Sequence, residues 1–150
     1  MKVNKQVARK DYPQHGIKKG DTYYWWQFKR SPKYYSLSYP KPAQLTRSEY
    51  LITVYGFQDE IEEFTKANDP SNIDDLKDLL ARIGELRDEQ ESKKDNMPES
   101  LQESDTANLL QERYDTLDEA YTNLETIISE LEEALNVIEE QMNALSEISF

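Results

Sequence analysis

The chain has no cysteine, one histidine and only four glycines among 150 residues. Without cysteine it has no disulfide, zinc–thiolate site or thiol nucleophile, which makes the cytosol the default compartment. No apolar run approaches the ~20 residues that span a bilayer, so we expect no interaction with a membrane. The N-terminal stretch MKVNKQVARKDY carries charges but no apolar segment, so we also expect no signal peptide.

Residues for catalysis are equally scarce. His15 is the single histidine, and no second histidine or cysteine exists to complete a metal or acid–base site, so we interpret it as a solvated loop residue. GIKKGD lacks the spacing of a phosphate-binding loop, and DPSNIDD lacks the central glycine and final glutamate of a calcium loop. We therefore expect a protein that is not an enzyme, with no catalytic residues, no metal, no cofactor and no small-molecule substrate.

Charge is unevenly distributed along a chain whose net charge is −12. Residues 1–50 hold 11 Lys and Arg against 3 Asp and Glu, whereas residues 51–150 hold 7 against 27. The halves therefore carry about +8 and −20. This division predicts two surfaces with different electrostatic partners, or with each other as partners.

The basic half contains DTYYWWQFKR at residues 21–30, with five aromatic rings between Tyr23 and Phe28. Side chains alternate in character over 22–30 and again over 33–39, which predicts a β-hairpin connected through Pro32. Val3 and Val7 suggest a third strand. One face of this hairpin is expected to form the core of the module, through Tyr24, Trp26, Phe28, Tyr35, Leu37 and Tyr39.

The opposite face is the predicted binding surface for nucleic acid or a protein partner. Exposed rings stack on bases and cations neutralise phosphates, so the composition is typical of a nucleic-acid platform. Its members are Lys18, Lys19, Tyr23, Trp25, Lys29, Arg30, Lys33 and Tyr34. Two alternatives remain open: the first helix covers this face and makes the rings a two-sided core, or the module docks on an acidic surface of its own helices or of another copy.

Helical periodicity begins near Thr46, which forms a capping-box pattern with Glu49. We therefore predict a basic aromatic β module over 1–45 and an acidic helical region over 46–150. The helices are expected at about 46–67, 72–94 and 106–148, separated by the turn residues NDPSN and by a break containing Pro98. The predicted fold class is α+β, a small antiparallel β-hairpin module followed by an acidic helical hairpin or coiled-coil bundle.

The last helix carries an unbroken heptad pattern, which predicts association of copies into a homo-oligomer. The association seam consists of Tyr114, Leu117, Tyr121, Leu124, Ile128, Leu131, Leu135, Ile138, Met142 and Leu145. Beside it runs an acidic edge of Asp118, Glu125, Glu132 and Glu139, which repels a parallel copy and suits a basic partner.

Residues 8–51, ARKDYPQHGIKKGDTYYWWQFKRSPKYYSLSYPKPAQLTRSEYL, resemble the opening of small proteins encoded by tailed bacteriophages, and DNMPESLQESDTANLLQER at 95–113 is similar to a second block of the same group. The resemblance implies an early or accessory phage protein in the bacterial host cytoplasm. It supplies no functional residues, because no activity is established for the group.

The expected function is that of an interaction protein. Its β module would bind single-stranded nucleic acid or an acidic partner, and its helices would supply association. The alternative is an inhibitor of a host defence or DNA-processing protein, with acidic helices that mimic nucleic acid.

Overall fold

The structure is a computed structural model that describes residues 1–67, 69 and 72–147. A three-stranded antiparallel sheet is followed by three long helices, so the predicted α+β class is confirmed. The strands are β1 (Asn4–Val7), β2 (Thr22–Gln27) and β3 (Lys33–Ser36), and the helices are α1 (Glu49–Ala67), α2 (Ile73–Asp95) and α3 (Asp105–Ser146).

Strand β2 lies in the centre of the sheet, between β1 and β3. Trp25 is opposite Tyr35 in β3 and Asn4 in β1, and Trp26 is opposite Tyr34. The third strand expected near the N-terminus is present as β1. Because opposed residues share a face, Trp26 and Tyr34 lie on one side of the sheet and Trp25 and Tyr35 on the other.

The chain divides into two compact units, Met1–Asp59 and Glu60–Phe150. The division falls within α1, whereas the sequence pattern places the boundary after residue 45, at the end of the β module. The first unit contains the sheet and its connections, and the second contains the pairing of α2 with α3.

The start of α1 differs from the predicted capping box. The helix begins at Glu49, and the Ser48 hydroxyl accepts a hydrogen bond from the Leu51 N–H at 3.4 Å. Thr46 instead accepts from the Ser48 N–H at 3.1 Å, so it orients the capping residue rather than capping the helix itself. A short 3₁₀ turn, Pro42–Leu45, precedes this arrangement.

Helices α2 and α3 pack antiparallel through the apolar stripes that their sequences predict. The buried side chains of α2 include Leu76, Leu79, Ile83 and Leu86, and those of α3 include Leu110, Leu117, Leu124 and Ile128. The helices approach closely at Gly84, where an added Cβ atom would lie 3.2 Å from Cε2 of Tyr121. The absence of a side chain there accommodates the Tyr121 ring.

Burial of the association seam decreases along α3, whose 42 residues greatly exceed the 23 of α2. Tyr114, Tyr121, Leu131 and Leu135 are half-buried, but Ile138, Met142 and Leu145 are 56%, 61% and 53% exposed. The first part of the seam therefore packs on α2 within one chain. Self-association stays a prediction, and the predicted end of α3 at residue 148 lies outside the described residues.

One polar side chain, Gln90 of α2, is buried in the second unit with only 1% of its surface exposed. Its Nε2 donates to the Leu86 carbonyl at 3.2 Å, while its Oε1 accepts no hydrogen bond from the described residues. A buried acceptor without a donor costs about 1–3 kcal/mol.

We expect Gln90→Leu to raise the free energy of unfolding by about 1 kcal/mol, because it removes the unsatisfied oxygen at nearly constant volume. Urea denaturation followed by circular dichroism measures this change. Leu79→Ala is the comparison, since a buried leucine truncated to alanine costs about 2–5 kcal/mol. A loss of stability in Gln90→Leu would mean that Oε1 has a favourable partner.

Candidate nucleic-acid or partner interface

The Tyr23 side of the sheet is covered by the connection between β1 and β2. Ala8, Ile17 and Tyr23 form a buried cluster against which Tyr12 and Trp25 pack. The connection folds back because Tyr12 and Ile17 form an isolated β-bridge, closed by a turn in which Gly16 has φ 65°. Tyr23 is therefore a core residue, as the two-sided-core alternative expects, but it packs against the β1–β2 connection, whereas that alternative assigned the cover to the first helix.

Tyr23 was predicted to be exposed, and this prediction is wrong, since only 5% of its surface is accessible. Its hydroxyl donates to Gln6 Oε1 at 3.1 Å, which satisfies the buried oxygen. Burial, followed by the neighbouring phenols of Tyr12 and Tyr35, raises the pKa of Tyr23 above its usual 10.0. Tyr23 is a core residue and is not available for stacking on a base.

Two half-buried rings remain at the surface of this side, and each carries a second group on its face. The Lys33 Nζ lies 4.3 Å from the ring centroid of Trp25. The His15 ring stacks on Tyr35 with 4.1 Å between centroids. Lys33 and His15 are exposed, so each half-buried ring is covered on one face by a side chain that is itself in contact with water.

The opposite side is built around Trp26, which is buried as predicted. Its indole N–H donates to the Gln44 carbonyl at 3.0 Å, so the segment after β3 supplies the polar partner of this ring. Tyr34 stacks on Trp26 at 5.8 Å, and Phe28 meets Tyr34 edge-on at the same distance. The Arg47 guanidinium lies 4.7 Å from the Phe28 centroid.

The predicted platform is consequently divided between two sides of the sheet. Tyr34 is 42% exposed, as expected, but it lies on the Trp26 side and not beside Trp25. Tyr35, predicted for the core with Trp26, lies beside Trp25 instead. Sequence reasoning also missed the contacts of His15 and Arg47, because each stacks on a ring about twenty positions away.

The predicted cations, Lys18, Lys19, Lys29, Arg30 and Lys33, are all exposed. Lys18 and Lys19 precede β2, and Lys29 and Arg30 follow it. The six residues of β2 therefore separate the two groups by about 20 Å.

No ion pair forms within residues 1–40, all of which the structure describes. The two acidic residues of this segment are occupied by backbone groups instead. Asp11 accepts from the Lys19 N–H at 2.6 Å, and Asp21 accepts from the Lys18 N–H at 2.8 Å. The carboxylates shape the turn and leave the lysine ammonium groups facing water.

The acidic edge of α3 is partly neutralised by α2. Asp118 pairs with Arg87 at 3.0 Å, and Glu132 pairs with Lys77 at 2.7 Å. Hydrogen bonding to Glu132 raises the pKa of Lys77, and bonding to Asp88 first and Asp118 second raises the pKa of Arg87. Glu125 and Glu139, the other two members of the edge, are exposed.

A cleft of about 320 Å³ lies between α1 and α2 in the second unit. Its apolar wall is formed by Phe64, Leu76 and Leu79, and Glu60 at its edge is bound by Arg82, which lowers the pKa of Glu60. Among residues 1–67, 69 and 72–147 no group of histidines and carboxylates is arranged to hold a metal ion. None of the helices in that part of the chain combines the length and apolarity that crossing a membrane demands.

Comparison with protein-family profiles, curated proteins and solved structures finds no match for this chain.

Buried Tyr23 leads to a test at alkaline pH. A tyrosine whose pKa is raised by folding contributes stability that is complete below the unfolded pKa, near 10.0, and that is lost as pH rises through the folded pKa. Tyr23→Phe should lower stability by about 1 kcal/mol at pH 7, through loss of the hydrogen bond to Gln6.

The same variant should lose less stability than the wild type between about pH 9 and pH 11. Thermal unfolding across this range measures the difference. Tyr34→Phe is the matched variant, because it also removes one phenol hydroxyl, but from a side chain that is 42% exposed. Parallel pH profiles for the wild type and Tyr23→Phe would contradict the role assigned to burial.

Proposed function

We propose that this chain is a non-enzymatic interaction protein whose first unit binds single-stranded nucleic acid. The observation that carries the proposal is the set of exposed cations without ion pairs, placed around half-buried rings on a small sheet. Single-stranded nucleic acid supplies both complements, a chain of phosphates for the cations and bases for the rings.

Electrostatics favours a polyanionic ligand. Residues 1–59 hold 11 Lys and Arg against 4 Asp and Glu, a net of +7 in a chain whose total is −12. Since Asp11 and Asp21 are engaged by backbone N–H groups, they do not form ion pairs with the lysines around them. Phosphate binding releases counterions from the ligand, which makes such a surface effective at low salt.

The half-buried rings of Trp25 and Tyr35 are placed where bases could stack on them. An exposed cation–π contact such as that of Lys33 on Trp25 is worth about 0.5–1 kcal/mol. A base stacked on an aromatic ring contributes roughly 1–3 kcal/mol, so a base can displace the ammonium group from the ring. The displaced Lys33 would remain close enough to contact the adjoining phosphate.

The distribution of cations favours an extended strand as the ligand. Lys18 and Lys19 are about 20 Å from Lys29 and Arg30 along β2, a separation that a single nucleotide does not span. Trp25 lies on β2 between these two groups of cations. A single-stranded nucleic acid that lies along β2 would therefore meet cations at both ends of the β-strand and an aromatic ring between them.

The alternative, mimicry of nucleic acid by α3, has weaker support. Nine Asp and Glu follow Arg113 on this helix, about one per 5.5 Å of axis, compared with one phosphate charge per ~1.7 Å of duplex DNA. Asp118 and Glu132 are also neutralised by α2. The resemblance to phage proteins supports a further proposal, that binding takes place in the cytoplasm of a bacterial host.

The main prediction concerns adjacent tryptophans that face opposite ways. Trp25→Ala should lower affinity for a fluorescein-labelled single-stranded oligothymidine by about 1–3 kcal/mol, and it should destabilise the first unit less than Trp26→Ala does, because Trp25 is only half-buried at the edge of its cluster. Trp26→Ala should instead destabilise the first unit by about 3–5 kcal/mol, because Trp26 is buried. Fluorescence anisotropy measures binding, and thermal unfolding measures stability.

Salt dependence provides the control. The log–log slope of affinity against salt should be about −0.7 for each phosphate neutralised, and Lys29→Ala should reduce it by about that amount. Lys66→Ala should not change it, since Lys66 pairs with Glu62 in the second unit. Equal competition by polyglutamate would show an acidic protein to be the ligand, and absence of binding at low salt would refute the proposal.

A further prediction uses Arg30, the one described residue other than glycine with positive φ, at 63°. This conformation strains a residue that has a Cβ atom, so its presence at the hairpin tip indicates a use for the side chain. Arg30→Gly should raise the free energy of unfolding by about 0.5–1 kcal/mol and weaken oligonucleotide binding.

Lys29→Gly is the matched control, because it removes the same charge from a neighbouring residue without relieving strain. It should weaken binding and also lower stability. If Arg30→Gly gained stability with no loss of affinity, Arg30 would have no role in binding.

A further inference from the structure

We propose that the exposed apolar stripe near the C-terminal end of α3 is a docking surface for a basic amphipathic helix of another protein. The stripe, called here the distal stripe, runs from Ile127 to Leu145; Ile127, Ile138, Met142 and Leu145 are exposed, and Leu131 and Leu135 are half-buried. It belongs entirely to the second unit and is independent of nucleic-acid binding by the first unit.

The distal stripe exists because α3 extends beyond the helix that covers its seam. Ile128 is the last fully buried residue of α3, and Lys77, one turn into α2, pairs with Glu132. From there to Ser146 the heptad pattern continues, while the exposed fraction of seam residues rises above one half. The heptad pattern therefore continues beyond Leu135, the last half-buried member of the seam, onto residues that α2 does not cover.

The length of the distal stripe is sufficient for a helix to dock. Residues 127 to 145 extend about 27 Å along the axis, or about five helical turns. Apolar side chains that remain exposed or half-buried over such a distance on a protein surface mark a site of interaction. All members except Ile127 occupy a and d positions, and this spacing selects another helix, because these positions form the holes into which helical side chains insert.

The negative charge near the distal stripe indicates which kind of helix would bind there. No Lys or Arg follows Arg113, whereas the last eighteen residues of the described chain contain six glutamates: Glu130, Glu132, Glu133, Glu139, Glu140 and Glu147. A helix with apolar a and d positions and Lys or Arg beside them would complement both the stripe and its borders. A second copy of α3 would instead bring the same carboxylates to the interface, and like charges oppose that pairing.

The test uses the full chain and a synthetic labelled peptide with leucine at a and d and lysine at e and g, over about three heptads. We expect this peptide to bind, with affinity decreasing as salt is added. A peptide with glutamate in place of lysine, and one with the same composition but shuffled leucines, should bind at least tenfold more weakly.

Variants of the chain show whether the distal stripe is the site. The double variant Ile138→Asn with Met142→Asn should weaken peptide binding at least tenfold without loss of helicity, since both side chains are already exposed. Val137→Asn is the matched control, because Val137 is 46% exposed on α3 but lies outside the a and d positions. It should leave binding unchanged.

Three outcomes would overturn the proposal. Equal weakening by Val137→Asn and by the double variant would place the peptide elsewhere, as would binding that neither changes. Equal affinity for the lysine and glutamate peptides would remove the electrostatic argument. A wild-type dimer in sedimentation equilibrium that the double variant converts to monomer would identify a second copy as the occupant.

Discussion

The central strand β2 bears large rings on both faces, so the small sheet is stable only if each face is covered. A sheet of two or three short strands is marginal in water without such cover. The chain provides it with the connection that carries Ile17 on the Tyr23 side and the segment that carries Gln44 on the Trp26 side. The Tyr23 hydroxyl and the Trp26 indole N–H each have a hydrogen-bond partner, which permits deep burial of both rings. The rings at the edges of the two cores are what remains for ligands.

The sequence was sufficient to predict the strands but not how they face each other. Alternation within β2 and β3 is correct in each strand taken alone, whereas the expected partnership of Trp26 with Tyr35 is wrong by one residue. Such a shift exchanges the faces of every side chain in the partner strand. The register is set by the loop, in which Ser31 N–H donates to the Phe28 carbonyl and Arg30 has positive φ. Arginine carries no turn signal at such a position, where glycine or asparagine would.

The helices were more predictable, because a heptad pattern determines the face of a helix over its whole length. Pattern alone does not say which part of that face is covered. The relevant signal was nevertheless present, since the expected α2 is little more than half as long as the expected α3, and a shorter antiparallel partner leaves an uncovered end. A comparison of predicted helix lengths would have shown that the last seam residues, from Ile138 onward, have no partner in α2.

The two units differ in whether their lysines and arginines form ion pairs. In the second unit Lys66, Lys77, Arg82, Arg87 and Lys93 all pair with carboxylates. Exposed pairs of this kind contribute little to stability, typically about 0–1 kcal/mol each. Their main consequence is that few cations of this unit remain available to a ligand, while its excess carboxylates do. In residues 1–40 the reverse holds, because backbone groups occupy the carboxylates of Asp11 and Asp21.

Because salt screens charges over short distances, a ligand at either surface responds mainly to the charges close to it. At physiological ionic strength a charge is felt over about 8 Å, whereas α3 alone is about 60 Å long. The net charge of −12 therefore does not describe what a ligand meets at the surface. A polyanion at β2 meets unpaired lysines and arginines, and a helix at the distal stripe meets glutamates beside apolar side chains. A chain that is acidic as a whole can in this way present a basic site, since the pairing of neighbouring groups determines the local potential.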